Sequence, residues 1–124
     1  MPPSPRAKKP LLLSYAGCGT CKKALRWLSL HQVEVEVRPI VESPPTAEEL
    51  SIWVPKSGRP LRKWLNTSGL SYRALDKEQL GAAKDEEILL WLMQDGKLVK
   101  RPVLVTGTHV LVGFDEEAYA EAFG

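Results

Sequence analysis

Four consecutive residues carry the chemistry most readily read from this sequence: Cys18-Gly19-Thr20-Cys21. They sit where a short apolar run gives way to a helical pattern. A helix start offers unpaired N–H groups and a partial positive charge, and both favour a thiolate over a thiol. Lys22 and Lys23 add positive charge beside it. The thiolate is the nucleophilic form, so Cys18 is the expected attacker. Cys21 follows about one helical turn on. It is expected to attack a mixed disulfide on Cys18, or an oxidised Cys18, and so release product. That division of labour needs a first cysteine open to solvent and a second one shielded.

Two other readings of the pair compete. A zinc site needs about four ligands. Beyond the pair the chain offers only His31 and His109 as His or Cys candidates, far off in sequence, so no metal is expected. The other reading is a pair of inert, buried cysteines. A CxxC pair placed before a helix in a strand–helix–strand unit favours redox chemistry over both.

The elements that must position the pair can be read on either side of it. Residues 11–15 (LLLSY) form an apolar run ending in a Gly-containing turn, a buried strand by pattern. Cys21, Ala24, Leu25 and Leu28 then follow the i, i+3, i+4, i+7 spacing of a buried helical stripe. Val33, Val35 and Val37 alternate with Glu34, Glu36 and Arg38, the pattern of a strand with one wet face, and Pro39 ends or edges it. Thr46 and Glu49 make a capping box for a helix that Pro55 and Gly58 are expected to interrupt. Pro60 to Leu65 suits a short helix and Asn66 to Gly69 a loop. Asp85 to Gln94 reads as a helix that Gly96 can close. Val103–Thr106 and His109–Val112 flank Gly107-Thr108, which suits a type II′ hairpin turn. A last helix runs from Asp115 to Phe123. Strand, helix, strand, several helices, hairpin, helix is the order of a thioredoxin-like α/β fold. The expectation is a mixed four-stranded sheet with helices on both sides and a helical insertion after the second strand, at about residues 44–100.

Composition bounds the rest. Lys and Arg total 17 against 15 Asp and Glu, a net charge of +2. A nucleic-acid reader normally carries a stronger basic patch, so direct DNA or RNA binding is disfavoured. No apolar run approaches the roughly 18 residues of a membrane span. Two cysteines cannot make the disulfide framework of a small secreted protein. Residues 1–10, with four prolines and three basic residues, read as a disordered tail ahead of a single domain, 11–124. They do not resemble an export signal, so a cytoplasmic, reducing location is expected, with a monomer as the default.

Arg101-Pro102 precedes the first hairpin strand and marks an edge or a tight, cis-compatible turn. In a thioredoxin-like fold this place lies beside the cysteine pair. Arg101 is then placed to bind an oxyanion or steady a thiolate through its planar fork of donors. Arg62 is a second candidate. Arg59, Lys63, Arg73 and Lys100 read as solvated charges, His31 as a helix end, His109 as a solvent-facing strand residue, and the four tryptophans as packing.

Four segments together resemble the arsenate-reductase-like ArsC/Spx/YffB proteins. Tyr15-Ala16-Gly17-Cys18-Gly19-Thr20-Cys21-Lys22-Lys23-Ala24 is similar to their active-site segment. Leu61 to Gly69, followed by Tyr72-Arg73, resembles their middle signature. Asp95 to Val105 resembles their pre-hairpin segment, and Leu111-Val112-Gly113-Phe114 their closing strand. The resemblance implies that a cysteine matching Cys18 attacks substrate. In the family's arsenate reductases, arginines clamp the oxyanion and reducing power comes from glutathione and glutaredoxin. Arg62 and Arg101 match two such arginines, and the third position falls at Gly113. Arsenate reductases of this type lack a second cysteine at the position of Cys21. The Spx branch carries CxxC, binds the RNA polymerase alpha subunit and uses the pair as a redox switch. The Asn66 to Gly69 stretch looks more like the YffB branch, which resembles a glutathione-dependent thiol reductase.

The resulting expectation is a thiol-dependent reductase with Cys18, Cys21 and Arg101 as catalytic residues. Arg62, Lys22 and Pro102 are expected at the substrate. No cofactor is expected to be bound, and electrons are expected from glutathione and glutaredoxin, from thioredoxin or from another thiol. Arsenate reduction is a further activity open to the same nucleophile. A redox-sensing regulator that binds RNA polymerase is the alternative.

Overall fold

A computed structural model describes residues 9–67 and 70–123. The chain runs β1 (Leu11–Ser14), α1 (Gly19–Leu30), β2 (Glu36–Pro39), α2 (Ala47–Ser57), a 3-10 turn (Leu61–Trp64), α3 (Leu70–Arg73), α4 (Lys77–Ala82), α5 (Asp85–Gln94), a second 3-10 turn (Gly96–Leu98), β3 (Val103–Val105), β4 (Val110–Val112) and α6 (Glu116–Phe123). The strands form one sheet in the order β2-β1-β3-β4. β1 and β2 are parallel and the other two pairings antiparallel. This is the mixed sheet of a thioredoxin-like fold. The expected N-terminal tail falls almost wholly on residues 1–8, outside the described residues. No described helix is long and apolar enough to cross a membrane.

The period-two alternation of a strand explains why the sheet has two buried faces. Leu13, Val103, Val110 and Val112 point to one side, where they meet Leu50 and Trp53 of α2, Trp64 of the 3-10 turn, and Ile88 and Leu92 of α5. Leu12 and Leu104 point to the other, against Ala24, Trp27 and Leu28 of α1 and Tyr119 of α6. A central strand reading LLL is thus covered on both sides, as a continuous apolar run requires.

Four local expectations change. The inward Val33-Val35-Val37 strand is replaced by one that begins only at Glu36. Val33 and Val35 pack against the α1 side of the core, whereas Val37 is 51% exposed. The face of β2 toward α2 is carried by Arg38. Its guanidinium meets both Glu49 oxygens at 2.6 and 2.9 Å, donates to the carbonyls of Ser43 and Pro44, and lies 5.9 Å from the Trp53 ring centre. Pro55 does not interrupt α2. The helix continues to Ser57 and ends at Gly58, whose φ of 70° is left-handed. Gly96 follows the Asp95 C-cap of α5 but does not close the helix in the left-handed conformation, because its φ is not positive. Gly96 is instead the point where two backbones meet: a Cβ there would collide with the Ile40 carbonyl and lie 2.9 Å from Val41 Cα. Finally, positive φ occurs at Gly58 and Gly113 and not at Gly107, so the hairpin is not type II′. Thr106 closes it, its hydroxyl accepting from the backbone N–H groups of Thr108 and His109 at 3.2 and 2.9 Å.

Two stability measurements follow from these contacts. Gly96→Ala should lower the unfolding free energy by about 1–3 kcal/mol, the usual cost of overpacking, read from denaturant midpoints at constant slope. The Arg38 guanidinium and the Thr46 N–H hold the Glu49 carboxyl below its usual range despite partial burial. Its stabilising contribution is therefore complete above the unfolded pKa of about 4.3 and lost as pH falls through the depressed folded value. The stability gap between wild type and Glu49→Gln should be widest near neutrality and close with acid. A gap independent of pH would contradict this.

Candidate active site

β1 delivers the chain to the site and α1 leads it away. After Ser14 the backbone turns, with Cys18 N–H donating to the Tyr15 carbonyl at 3.0 Å. The Tyr15 ring lies over Gly17 in this turn, 3.0 Å from where a Cβ would stand, so a larger residue there would press on the ring. Cys18 then takes the N-cap position of α1 in an extended conformation, φ −96° and ψ 118°. Its sulfur fills the role usually taken by a Ser or Asp oxygen and accepts from the Cys21 backbone N–H at 3.3 Å. Cys18 is partly exposed, while Cys21 is 1% exposed on the stripe with Ala24, Trp27 and Leu28. Both thiols are free.

The two thiols have opposite acidities. Partial burial works against ionisation of Cys18. It is outweighed by hydrogen bonds from the Cys21 thiol and backbone N–H and by the hydrogen bond and charge of Arg101, so the Cys18 pKa falls below its ordinary value. Burial, and next the hydrogen bond to Cys18, push Cys21 up to about 11, against opposing hydrogen bonds from Tyr15 and Ser14. Cys18 is thus the more acidic of the two sulfurs, and the Cys21 thiol is a hydrogen-bond donor to it.

Arg101 stands over the Tyr15 ring, 4.9 Å from its centre, and donates to the Lys97 carbonyl at 3.2 Å. Its Nε is buried without a partner among the described residues. The Arg101-Pro102 peptide bond is cis, and Pro102 is buried, its carbonyl accepting from Gly113 N–H at 2.8 Å. That bond and a φ of 82° fix Gly113 as a backbone position. A Cβ there would lie 3.2 Å from Lys100 Cε, so an arginine is disfavoured where the resemblance would put the third clamp. Lys22 is exposed on α1, and the cation acting on Cys18 is Arg101.

Arg62 does not join the site. The 3-10 turn buries Trp64 and sends Arg62 toward the end of α4, where it donates to the carbonyls of Leu80 and Ala83 at 3.0 and 2.7 Å. Carbonyls at a helix end lack intrahelical donors, and Arg62 supplies them. The sequence pattern did not single out Ser14, Tyr15 or Asn66. Asn66 shares the Lys97 carbonyl with Arg101 through its side-chain amide at 3.4 Å. Ser14 carries a faint signal, as the one polar residue closing an apolar strand. Asn66 carries no signal in the residue pattern, only in the family resemblance of the stretch it opens, because its place depends on two distant segments meeting. Among the described residues, no group of three or more His, Cys, Asp or Glu is arranged to hold a metal.

A family model described as the ArsC family matches residues 13–122. The chain belongs to the ArsC family. Among curated relatives, the uncharacterized protein YusI of Bacillus subtilis is 45% identical over 108 residues, covering 86% of this chain and 92% of that protein. The regulatory protein MgsR of the same organism is 28% identical over 102 residues, covering 82% and 80%. Among solved structures, an ArsC family related protein of Bacteroides fragilis superposes with a TM-score of 0.87 at 45% identity, covering 93% of this chain and 98% of that one. A possible arsenate reductase of Streptococcus mutans gives 0.79 at 32%, covering 90% and 98%. The ArsC-family fold and a paired Cys18 and Cys21 are therefore properties of this chain.

Arg101→Met should raise the Cys18 pKa, because it removes a hydrogen bond and a positive charge while keeping much of the stem. The measurement is the pH dependence of Cys18 alkylation in a Cys21→Ala background. An unshifted titration would show that the guanidinium does not act on the sulfur.

Proposed function

We propose that this protein is a thiol–disulfide reductase, with Cys18 as nucleophile and Cys21 as resolving thiol. The observation that carries the reading is the N-cap sulfur. Cys18 is partly exposed, acidified by a helix N-terminus and Arg101, and bonded at 3.3 Å to the N–H of a buried second cysteine.

The Cys18 thiolate attacks one sulfur of a substrate disulfide, R–S–S–R′. A new S–S bond joins Cys18 to R–S, the old one breaks, and R′–S⁻ leaves and takes a proton. With Cys18 no longer an anion, the hydrogen bond that raised the Cys21 pKa disappears. Cys21 gives up its proton and attacks Cys18 Sγ, and R–S⁻ leaves as the second thiol. Two electrons have passed to the substrate and Cys18–Cys21 is a disulfide. Two equivalents of an external thiol, such as glutathione, or one dithiol, such as thioredoxin, restore the pair. No bound cofactor is required.

Arsenate reduction has less support. Arg101 stands at the nucleophile, but Arg62 is committed to α4 and Gly113 replaces a third clamp. Oxyanion stabilisation depends on the number of donors in place.

The test is turnover of a small mixed disulfide, coupled to glutathione–glutaredoxin and separately to thioredoxin. Cys18→Ser should lower the rate by at least about a thousandfold, as loss of a nucleophile does. Cys21→Ser should stop the cycle at a mixed disulfide on Cys18, seen as an added mass. Turnover unaffected by Cys18→Ser would refute the proposal. Inactivity combined with capture of the RNA polymerase alpha subunit by the oxidised protein would replace it with a regulator.

A further inference from the structure

Arg38 and Arg101 each lie over an aromatic ring, but they are held differently. Arg38 stands 5.9 Å from the Trp53 centre and is bonded to both oxygens of Glu49. Arg101 stands closer to its ring, 4.9 Å from the Tyr15 centre, and makes no ion pair among the described residues. Its guanidinium donates to the Lys97 carbonyl at 3.2 Å. Its Nε is buried with no hydrogen-bond partner among the described residues. A buried N–H without an acceptor is a cost. What the structure sets against that cost is the electron-rich face of the Tyr15 ring, which attracts a cation.

Tyr15 is also tied to the nucleophile. Its carbonyl accepts from the Cys18 N–H at 3.0 Å. Its ring lies over Gly17 and packs at the edge of the larger apolar cluster. The residue therefore belongs to the Cys18 turn by its backbone and to Arg101 by its ring. An arginine has many rotamers, and fixing one costs side-chain entropy. A carboxylate would fix it, as Glu49 fixes Arg38, but would also offset its charge toward a nearby anion. An aromatic face carries no net charge, so it holds the guanidinium and leaves the positive charge in force.

We infer that Tyr15 is a positioning residue whose ring holds the Arg101 guanidinium at the turn that carries Cys18. The inference rests on Cys18 as the nucleophile and on Arg101 as the cation acting on it. The ring face does the holding, and the phenol hydroxyl has no part in it. Tyr15 touches no substrate in this role and gives up no proton. Its effect reaches the sulfur only through Arg101, so it vanishes when the guanidinium is removed.

The experiment is the pH dependence of Cys18 alkylation in the Cys21→Ala background, with and without Arg101→Met. Tyr15→Leu and Tyr15→Met both remove the ring, and the flexible Met adapts to the space it leaves. Each should move the alkylation midpoint up by about half a pH unit, which is about threefold less thiolate below the midpoint, the size of one partly exposed cation–π contact. Tyr15→Phe keeps the ring face and should leave the midpoint in place. With Arg101→Met present, none of the three should move it further. A shift of equal size in both backgrounds would show that the ring acts on the turn and not on Arg101, and would overturn the inference. An unmoved midpoint in Tyr15→Leu and Tyr15→Met, or an equal shift in Tyr15→Phe, would overturn it as well. The reductase reading is tested apart from this, by mixed-disulfide turnover. Turnover lost in Cys18→Ser together with an unmoved Tyr15→Leu midpoint would fail the inference alone. Turnover that survives Cys18→Ser would remove both.

Discussion

The hydrogen bond from the Cys21 N–H to the Cys18 sulfur is the contact on which the site depends. It fixes the N-cap of α1, so the atom that caps the helix is also the more acidic of the two sulfurs. A helix needs an acceptor at this position. A sulfur that meets the need is drawn toward its anionic form, because the anion is the better acceptor. Capping and activation are one interaction seen from its two ends. The backbone that places it is fixed upstream by β1, buried on both faces, and by the Tyr15 turn.

Around that contact, the sheet divides the work. On one side Ala24, Trp27 and Leu28 of α1 pack with Tyr119 of α6, and Cys21 is buried on the same α1 stripe. On the other, α2, α5 and the two 3-10 turns build a larger apolar cluster. That cluster carries the approach to Arg101 through Val99, and the Leu65–Val99 bridge ties the middle of the chain to the segment leading to β3. The helical middle therefore reaches the site by positioning Lys97, Asn66 and Arg101, not by sending in Arg62.

What the sequence made legible was local. The strand–helix–strand start, α5 with its acidic first turn, the capping box at Thr46 and the cysteine pair are all set by neighbouring residues. What it hid was set by contacts between distant segments. Val37 fits an inward alternation, but Arg38 had a carboxylate waiting on α2, and that pairing decides which residues of β2 face the core. Gly96 resembles a helix stop, yet its lack of a side chain serves the approach of Ile40. Arg62 and Arg101 look alike as letters, and only the path of the backbone separates a helix-end donor from an active-site cation. Ser14 and Asn66 belong to the site by position alone.

β2 has one further consequence. It is the outermost strand beside β1, it is four residues long, it carries Glu36 and Arg38, and it ends in Pro39, which has no N–H to offer. A row of open backbone groups invites another chain to continue the sheet. Here the row is short, charged and stopped by an imino acid. The copy of this protein that collides with that flank finds no template to zip onto, which protects against aggregation a molecule whose central strand is almost wholly apolar.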